Sequence, residues 1–250
     1  KAYFEARKLD GLHQFEVFHH VTYANDWMAS YVGALLPIPY IRGPGGGAHR
    51  TPINYYSEYD WKGRVWERIR ILGQWLFRHD PFFLSGQRKS KAILVCNREA
   101  YNVLPSKFQH KAHRFAVCGI SSADLSMSER KVNLKGSSDG TFRVISAGKL
   151  LPIKGFKMAI RAFAIFSLKY PDSIFTIVGD GPDLPVLRDL VHKKELEQKV
   201  VFQQWTPRNE LLKSIQSSDV FLFPSLRDGG GAVIIEAMSM YTPVICLDIS

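Results

Sequence analysis

"TFRVISAGKLLPIKGFKMAIRAFAIFSLKYPDSIFTIVGDG" runs from Thr141 to Gly181, and its reading decides the architecture. "TFRVISAGKL" is a largely apolar run that reads as a buried strand. "GFKMAIRAFAIFSLKY" follows with apolar residues three and four apart, the pattern of an amphipathic helix, and Pro171 closes it. "SIFTIVGDG" is a second apolar run ending in glycine. A strand, a helix and a second strand joined by such short links require parallel pairing through a right-handed crossover.

The same alternation continues toward the carboxyl end. "DLPVLRDLVHKKEL" reads as helix, "KVVFQQW" as strand, "PRNELLKSIQSS" as helix, "DVFLFPS" as strand, "GAVIIEAMSM" as helix and "TPVICLDI" as a last strand. Strands that are apolar throughout imply helices on both faces of the sheet. Toward the amino end the style is similar but less clean. "FEVFHHVTYAN" (Phe15–Asn25), "LPIPYIRGPGGGAH", "KAILVCN" and "HRFAVCGI" read as strands, and "NREAYNVLP" as a short helix. Residues 60–78 read as a long helix in which Trp61, Val65, Ile69, Leu72 and Leu76 form a stripe expected to pack on the sheet. Residues 121–140 are rich in Ser, Lys and Gly and suit a linker. The expectation is an α/β protein with two doubly wound, Rossmann-like domains facing a cleft. A partial N-terminal domain would cover 1–122, a linker 123–141 and a partial C-terminal domain 142–250. Lys1 in place of Met, and a strand at the last residues, predict an internal fragment cut at both ends.

The net charge of the 250 residues is +10, and it is unevenly spread. Residues 1–140 hold 20 Lys and Arg against 12 Asp and Glu, whereas residues 141–250 hold 13 against 11. The first part therefore suits an anionic partner: membrane lipid, a phosphorylated acceptor or nucleic acid. The three cysteines, Cys96, Cys118 and Cys246, sit in or beside apolar runs without paired spacing, which predicts reduced thiols in a cytoplasmic protein and no zinc site. No apolar stretch approaches the roughly 20 residues of a membrane span.

In open parallel sheets, ligands bind beyond the carboxyl ends of the strands. The loop "GKLLPIKG" (Gly148–Gly155) leaves a strand and carries Lys149 and Lys154. Two flexible cations there suit a diphosphate, although two surface lysines on a solvated loop are the plainer reading. "RDGGGAVIIEAMSM" places Gly229, Gly230 and Gly231 between Asp228 and Glu236, at the start of a helix. Glycines let backbone approach a ligand, and a helix start favours anions. A carboxylate can accept from two vicinal sugar hydroxyls. A simple N-cap would account for Asp228; it accounts neither for three glycines nor for an acid inside "VIIEAM".

Taken in order, "SAGKLLPIKG", "FTIVGDGPDLPVL", "VVFQQW" and "DVFLFPSLRDGGGAVIIEAMSMYTPVI" resemble the C-terminal domain of the GT-B glycosyltransferases of the retaining, family-4 type, across residues 142–250. The resemblance implies that Lys149 and Lys154, with Gly148, hold the diphosphate of a nucleotide-sugar donor. It implies that Glu236 binds the ribose, and that Asp228 sits near the transferred sugar beside the amides of Gly229 to Gly231. The first acid of this pair is usually Glu in the family and here is Asp, and a larger residue often stands at Gly230. "FEVFHHVTYAND" is similar to the acceptor-side strand whose terminal histidine faces the cleft, which nominates His20 as a catalytic-site residue, with His19 as its competitor. "GPGGGAH" resembles the following cleft loop.

The function implied is transfer of a sugar from a nucleotide-diphosphate donor to the hydroxyl of a glycan or lipid-linked acceptor, in cell-surface polysaccharide or glycolipid synthesis. The two lysines and the helix start would stabilise the leaving diphosphate, so no metal or other cofactor is expected. The basic half would permit peripheral contact with an anionic membrane at its inner face, through the arginine-rich face of helix 60–78. Nucleic acid is not an expected partner, because the tryptophans of that helix are needed for packing. The alternatives are a nucleotide-sugar 2-epimerase of the same fold and a degenerate, non-catalytic binding domain.

Overall fold

The computed structural model describes residues 1–21, 25–122, 125 and 140–249. Two compact units result: Lys1–Arg50 with Trp61–Val117, and Thr51–Asp60 with Cys118–Ile249. The expected linker, 123–141, lies outside the described residues except at 125, 140 and 141. The segment Thr51–Asp60 groups with the second unit, although the sequence reading places it within 1–122. The Glu58 carboxylate is ion-paired with Arg161, and its carbonyl accepts from Lys157 at 3.3 Å.

The second unit is a five-stranded parallel sheet. Its strands are β5 (Phe142–Ala147), β6 (Ser173–Val178), β7 (Val200–Gln203), β8 (Val220–Phe223) and β9 (Val244–Cys246), and they lie in the order β7-β6-β5-β8-β9. Helices α7 (Phe156–Lys169) and α8 (Leu184–Lys193) cover one face, while α9 (Arg208–Gln216) and α10 (Ala232–Ser239) cover the other. Side chains alternate along each strand. Val144, Phe175 and Ile177 therefore join Ile160, Phe163 and Leu187 on one face, and Ile145, Val178 and Phe221 join Leu212 and Ile215 on the other. The chain reverses its direction of travel across the sheet between β5 and β8, which makes their carboxyl ends the switch point where ligands bind.

The first unit holds a four-stranded parallel sheet, β1 (Phe18–His20), β2 (Tyr40–Arg42), β3 (Ser90–Val95) and β4 (Ala112–Arg114), in that order. Its strands are shorter than the apolar runs suggest. Around them lie α1 (Ala2–His13), α2 (Tyr31–Leu35), α3 (Trp61–Arg78), α4 (Pro81–Lys89), α5 (Arg98–Asn102) and α6 (Ser106–Gln109). Of these, α1, α2, α4 and α6 were not foreseen.

Helix α3 has the expected length and the opposite orientation. Its stripe Trp61, Val65, Ile69, Leu72 and Leu76 faces outward, with Leu72 57% exposed, while Glu67 and Gln74 on the reverse side are 5% and 0% exposed. The cause is the glycine loop that follows β2. A loop without side chains presents bare carbonyls, and buried carbonyls need donors. Gln74 Nε2 donates to the Gly47 carbonyl at 2.6 Å, and Arg70 donates to Gly47 and His49 carbonyls at 3.1 and 2.9 Å. Replacing Ile69 or Leu72 by Ser is expected to shift stability by no more than about 0.5 kcal/mol. Gln74→Leu, which removes the shorter of the two hydrogen bonds to the Gly47 carbonyl, should cost about 0.5–1.5 kcal/mol. Urea denaturation of each variant checks this, and a larger loss in the Leu72 variant would show the stripe to be internal.

Candidate active site

At the carboxyl edge of the second sheet, four strand-end loops enclose a cavity of about 700 Å³, within the size range of small-molecule sites. Gly148, Lys149 and Lys154 line it from the loop after β5, Gly179 and Asp180 from that after β6, and Trp205 and Thr206 from that after β7. Asp228 and Gly231 enter from the loop after β8, and Glu236 from α10. Of the residues assigned to the donor from the sequence, Gly229 and Gly230 belong to the same loop without lining the cavity.

The loops approach so closely because they lack side chains. Gly155, with φ at +68°, opens α7, and a Cβ there would lie 2.0 Å from the Pro224 carbonyl oxygen. A Cβ on Gly179 would lie 2.0 Å from the Gly148 carbonyl oxygen. Lys154 ends a short 3-10 turn, Pro152–Lys154, directly before Gly155, so its side chain starts where the two loops meet.

Two of the acids in the cavity, Asp228 and Glu236, are each held by a cation. Asp228 pairs with the Lys154 ammonium, and its Oδ1 accepts from the amides of Gly230 and Gly231 at 3.3 and 3.1 Å. Glu236 Oε1 accepts from Arg208 Nε at 2.8 Å. Nothing in the sequence announced Arg208: it opens α9, 28 positions from its partner. Lys149 has no ion-pair partner among the described residues. Burial would raise the pKa of Asp228, but the hydrogen bond and charge of Lys154, with the Gly231 and Gly230 amides, outweigh it and hold the carboxyl below its usual range. On the outer side of the loop, the Cys118 thiol donates to the Gly230 carbonyl at 3.1 Å. All three cysteines are free thiols.

The two histidines lie in the first unit. His20 packs its ring on Phe18, with centroids 6.2 Å apart, and lines a groove formed with α1 and α2. His19 Nε2 donates to the Gly43 carbonyl at 2.6 Å and so ties β1 to the glycine loop. Among the described residues, no group of three or more His, Cys, Asp or Glu side chains is placed to hold a metal, and no helix is long and apolar enough to cross a membrane.

Residues 128–250 match the family described as glycosyl transferases group 1. An uncharacterized glycosyltransferase of Methanocaldococcus jannaschii, MJ1607, is 28% identical over 247 residues, which cover 94% of this chain and 58% of that protein. The alpha-D-kanosaminyltransferase of Streptomyces kanamyceticus is 25% identical over 193 residues, 74% of this chain and 48% of its own. The chain thus spans about half the length of these two relatives. Among solved structures, Anabaena HepE in complex with UDP aligns over 98% of this chain and 63% of its own, with a TM-score of 0.61 at 17% identity. At that identity the likeness shows the fold.

A carboxyl with a depressed pKa stabilises the folded state above its unfolded value, about 3.9. That stability is lost as pH falls through the lower folded value. Asp228→Asn is expected to lower stability by on the order of 1 kcal/mol at pH 7. The gap from the parent chain should close as the pH drops below the usual carboxylate range. Thermal unfolding at a series of pH values tests this, and a gap independent of pH would refute the ion pair's contribution.

Proposed function

From the match of residues 128–250 to the group 1 glycosyl transferases, we propose that the chain transfers a sugar from a nucleotide-diphosphate donor to an acceptor hydroxyl with retention at the anomeric carbon. The observation that carries this reading is the convergence of two lysines and two carboxylates on one cavity at the switch point of the second sheet. Lys149 and Lys154 meet the diphosphate. Glu236 receives the ribose hydroxyls, and Asp228 with the glycine-loop amides faces the sugar.

In the reaction the bond from the anomeric carbon to the diphosphate oxygen breaks, and a bond to the acceptor oxygen forms. The acceptor proton passes to the departing phosphate, and nucleoside diphosphate leaves. Charge develops on that phosphate, and preset cations stabilise it without reorganising. Lysines in this role take the place a divalent metal would fill. Without donor, the Lys154 ammonium is engaged by Asp228 and the Glu236 carboxylate by Arg208, so the four groups are oriented before a ligand arrives. The proposed acceptor is a glycan or lipid-linked sugar in polysaccharide or glycolipid synthesis. His20 remains a candidate on the acceptor side.

The same proposal includes peripheral contact with the inner face of an anionic membrane, by a different face of α3 from the one expected. Trp61, Val65, Ile69, Leu72, Trp75 and Leu76 are all exposed, and Lys62, Arg64 and Arg68 accompany them on the helix. An apolar stripe flanked by cations suits a helix lying in a lipid interface.

Lys154→Ala is expected to weaken binding of the matching nucleoside diphosphate tenfold or more, the loss of one charge-assisted hydrogen bond of about 1.5–3 kcal/mol. Calorimetry against a nucleotide panel with chelator present would show it, and unchanged affinity would sink the assignment. Release of nucleoside diphosphate only with acceptor supports transfer, whereas epimerised donor would indicate an epimerase. For the membrane, the chain should float with vesicles of phosphatidylcholine and phosphatidylglycerol, and a Leu72→Glu, Trp75→Glu double variant should not. Failure of the parent chain to float, or a self-associated dimer in its place, would refute the contact.

A further inference from the structure

The inward face of α3 carries more positive charge than the first unit neutralises. Arg70 is matched: its Nε and Nη2 donate to the two oxygens of Glu67 at 2.9 and 2.5 Å. Two turns on, Arg78 presents the same edge of its guanidinium, Nε and Nη2, and both atoms are buried with no hydrogen-bond partner among the described residues. That edge is the fork that grips two oxygens of a carboxylate or phosphate side by side.

The surroundings supply more cations than anions. Arg42 is 6% exposed, and its partners are neutral. Nη2 donates to the Asn25 carbonyl at 2.5 Å, and with the Gln87 amide turned so that its oxygen faces Arg42, Nε and Nη1 both reach that oxygen at 3.1 Å. Arg50 adds its field to that of Arg42 and Arg70 on Arg78, and together with burial, the largest effect, they push its pKa down. One buried carboxylate, Asp26, faces this group. Its Oδ2 also lacks a partner, and burial pushes its pKa up despite Arg42, His49, Arg78 and the amide of Ala48. Against Asp26 stand Arg42 and Arg78, with Arg50 exposed to solvent, since Glu67 holds Arg70. His49, with Glu99 at 2.7 Å, forms its own pair.

The glycine loop shapes the place. The amide of Asp26 donates to the Gly46 carbonyl at 3.1 Å, and a Cβ on Gly45 would lie 2.4 Å from Asp26 Oδ1. The loop therefore closes on the carboxylate as tightly as glycine allows. An unpaired buried guanidinium edge is costly, and the loop that closes on Asp26 leaves the carboxyl end of β2, the side of a parallel sheet on which ligands bind.

We infer that Arg78, with Arg42 and Arg50, forms an anion site that takes the phosphoryl group of the acceptor. The word acceptor rests on the sugar-transfer reading; the anion site stands on the first unit alone. Protein covers the unpaired fork of Arg78 in the free chain, so the glycine loop moves aside as the phosphoryl group pairs with it and offsets the surplus charge. It could be carried by a soluble phosphorylated sugar or by a lipid, and the chemistry at the site is shared.

The test uses the full chain with Lys149→Ala and Lys154→Ala, so that phosphate binding at the donor cavity is suppressed and failure of the two readings is distinguishable. Calorimetry with glycerol phosphate and with dihexanoyl phosphatidic acid should show saturable binding of one or both, and the tighter ligand identifies the source. Arg78→Gln should weaken that binding tenfold or more. Arg78→Lys, which keeps the charge and loses the fork, should fall between. Should Arg78→Gln fail to fold by circular dichroism, Asp26→Asn supplies the second measurement: removal of the competing carboxylate should tighten binding. No binding by either ligand, equal binding in Arg78→Gln, or weaker binding in Asp26→Asn would overturn the site.

Discussion

The absence of a side chain at Gly155 is the contact on which the cavity of the second unit depends. A Cβ there would lie 2.0 Å from the carbonyl oxygen of Pro224, so no other residue lets the loop after β5 lie against the loop after β8. Bringing those loops together places Lys154, one residue before Gly155, on Asp228, four residues beyond Pro224. Gly179 plays the same part between the loops after β6 and β5, where a Cβ would meet the Gly148 carbonyl. Backbone packed directly on backbone fixes the separation of the two loops, and with it the pairing of Lys154 with Asp228. A fixed separation matters for catalysis, where preset charges outperform charges that must be assembled.

The second consequence concerns the glycines between Asp228 and Glu236. Two of the loop amides already serve Asp228, and only Gly231 needs the left-handed backbone, with φ at +38°. In the free chain the loop is thus organised around its own carboxylate and the Lys154 ammonium. The short side chain of Asp228 suits this inward arrangement, because it reaches back to the amides of the turn that follows it. The preset pairs also set a competition: a diphosphate that takes Lys154 draws charge from Asp228 and leaves that acid better able to accept from a sugar hydroxyl.

Much of the second unit was legible because its strands are apolar on both faces and its helices are periodic. For such segments the period alone fixes which residues are internal. The first unit was harder for two reasons. Its strands are only three residues long at β1, β2 and β4, so runs such as Phe15–Asn25 overstate them. In α3 the amphipathic period was legible, but period gives the angle between two faces and is silent on which face meets the protein. The deciding partner was the glycine loop, whose bare carbonyls call for Gln74 and Arg70. The cation pairing of Glu236 with Arg208 was invisible for a related reason: contacts across 28 positions follow from the fold and from no local spacing.

That inversion gives α3 two kinds of surface on one helix, and the two have compatible uses. Its inward side is polar and strongly basic, with Arg70 and Arg78 on the glycine loop side, while its outward side carries tryptophan and leucine. A helix that lay in a membrane interface by its outer face would hold its inner face a helix diameter, about 10 Å, above the acyl boundary. That is the depth of phospholipid head groups. A phosphoryl group attached to a lipid would then lie level with the empty edge of Arg78 while its chains stayed in the bilayer. A soluble acceptor would gain no such advantage, so the two faces of α3 together favour a lipid-borne phosphoryl group as the anion at the glycine loop.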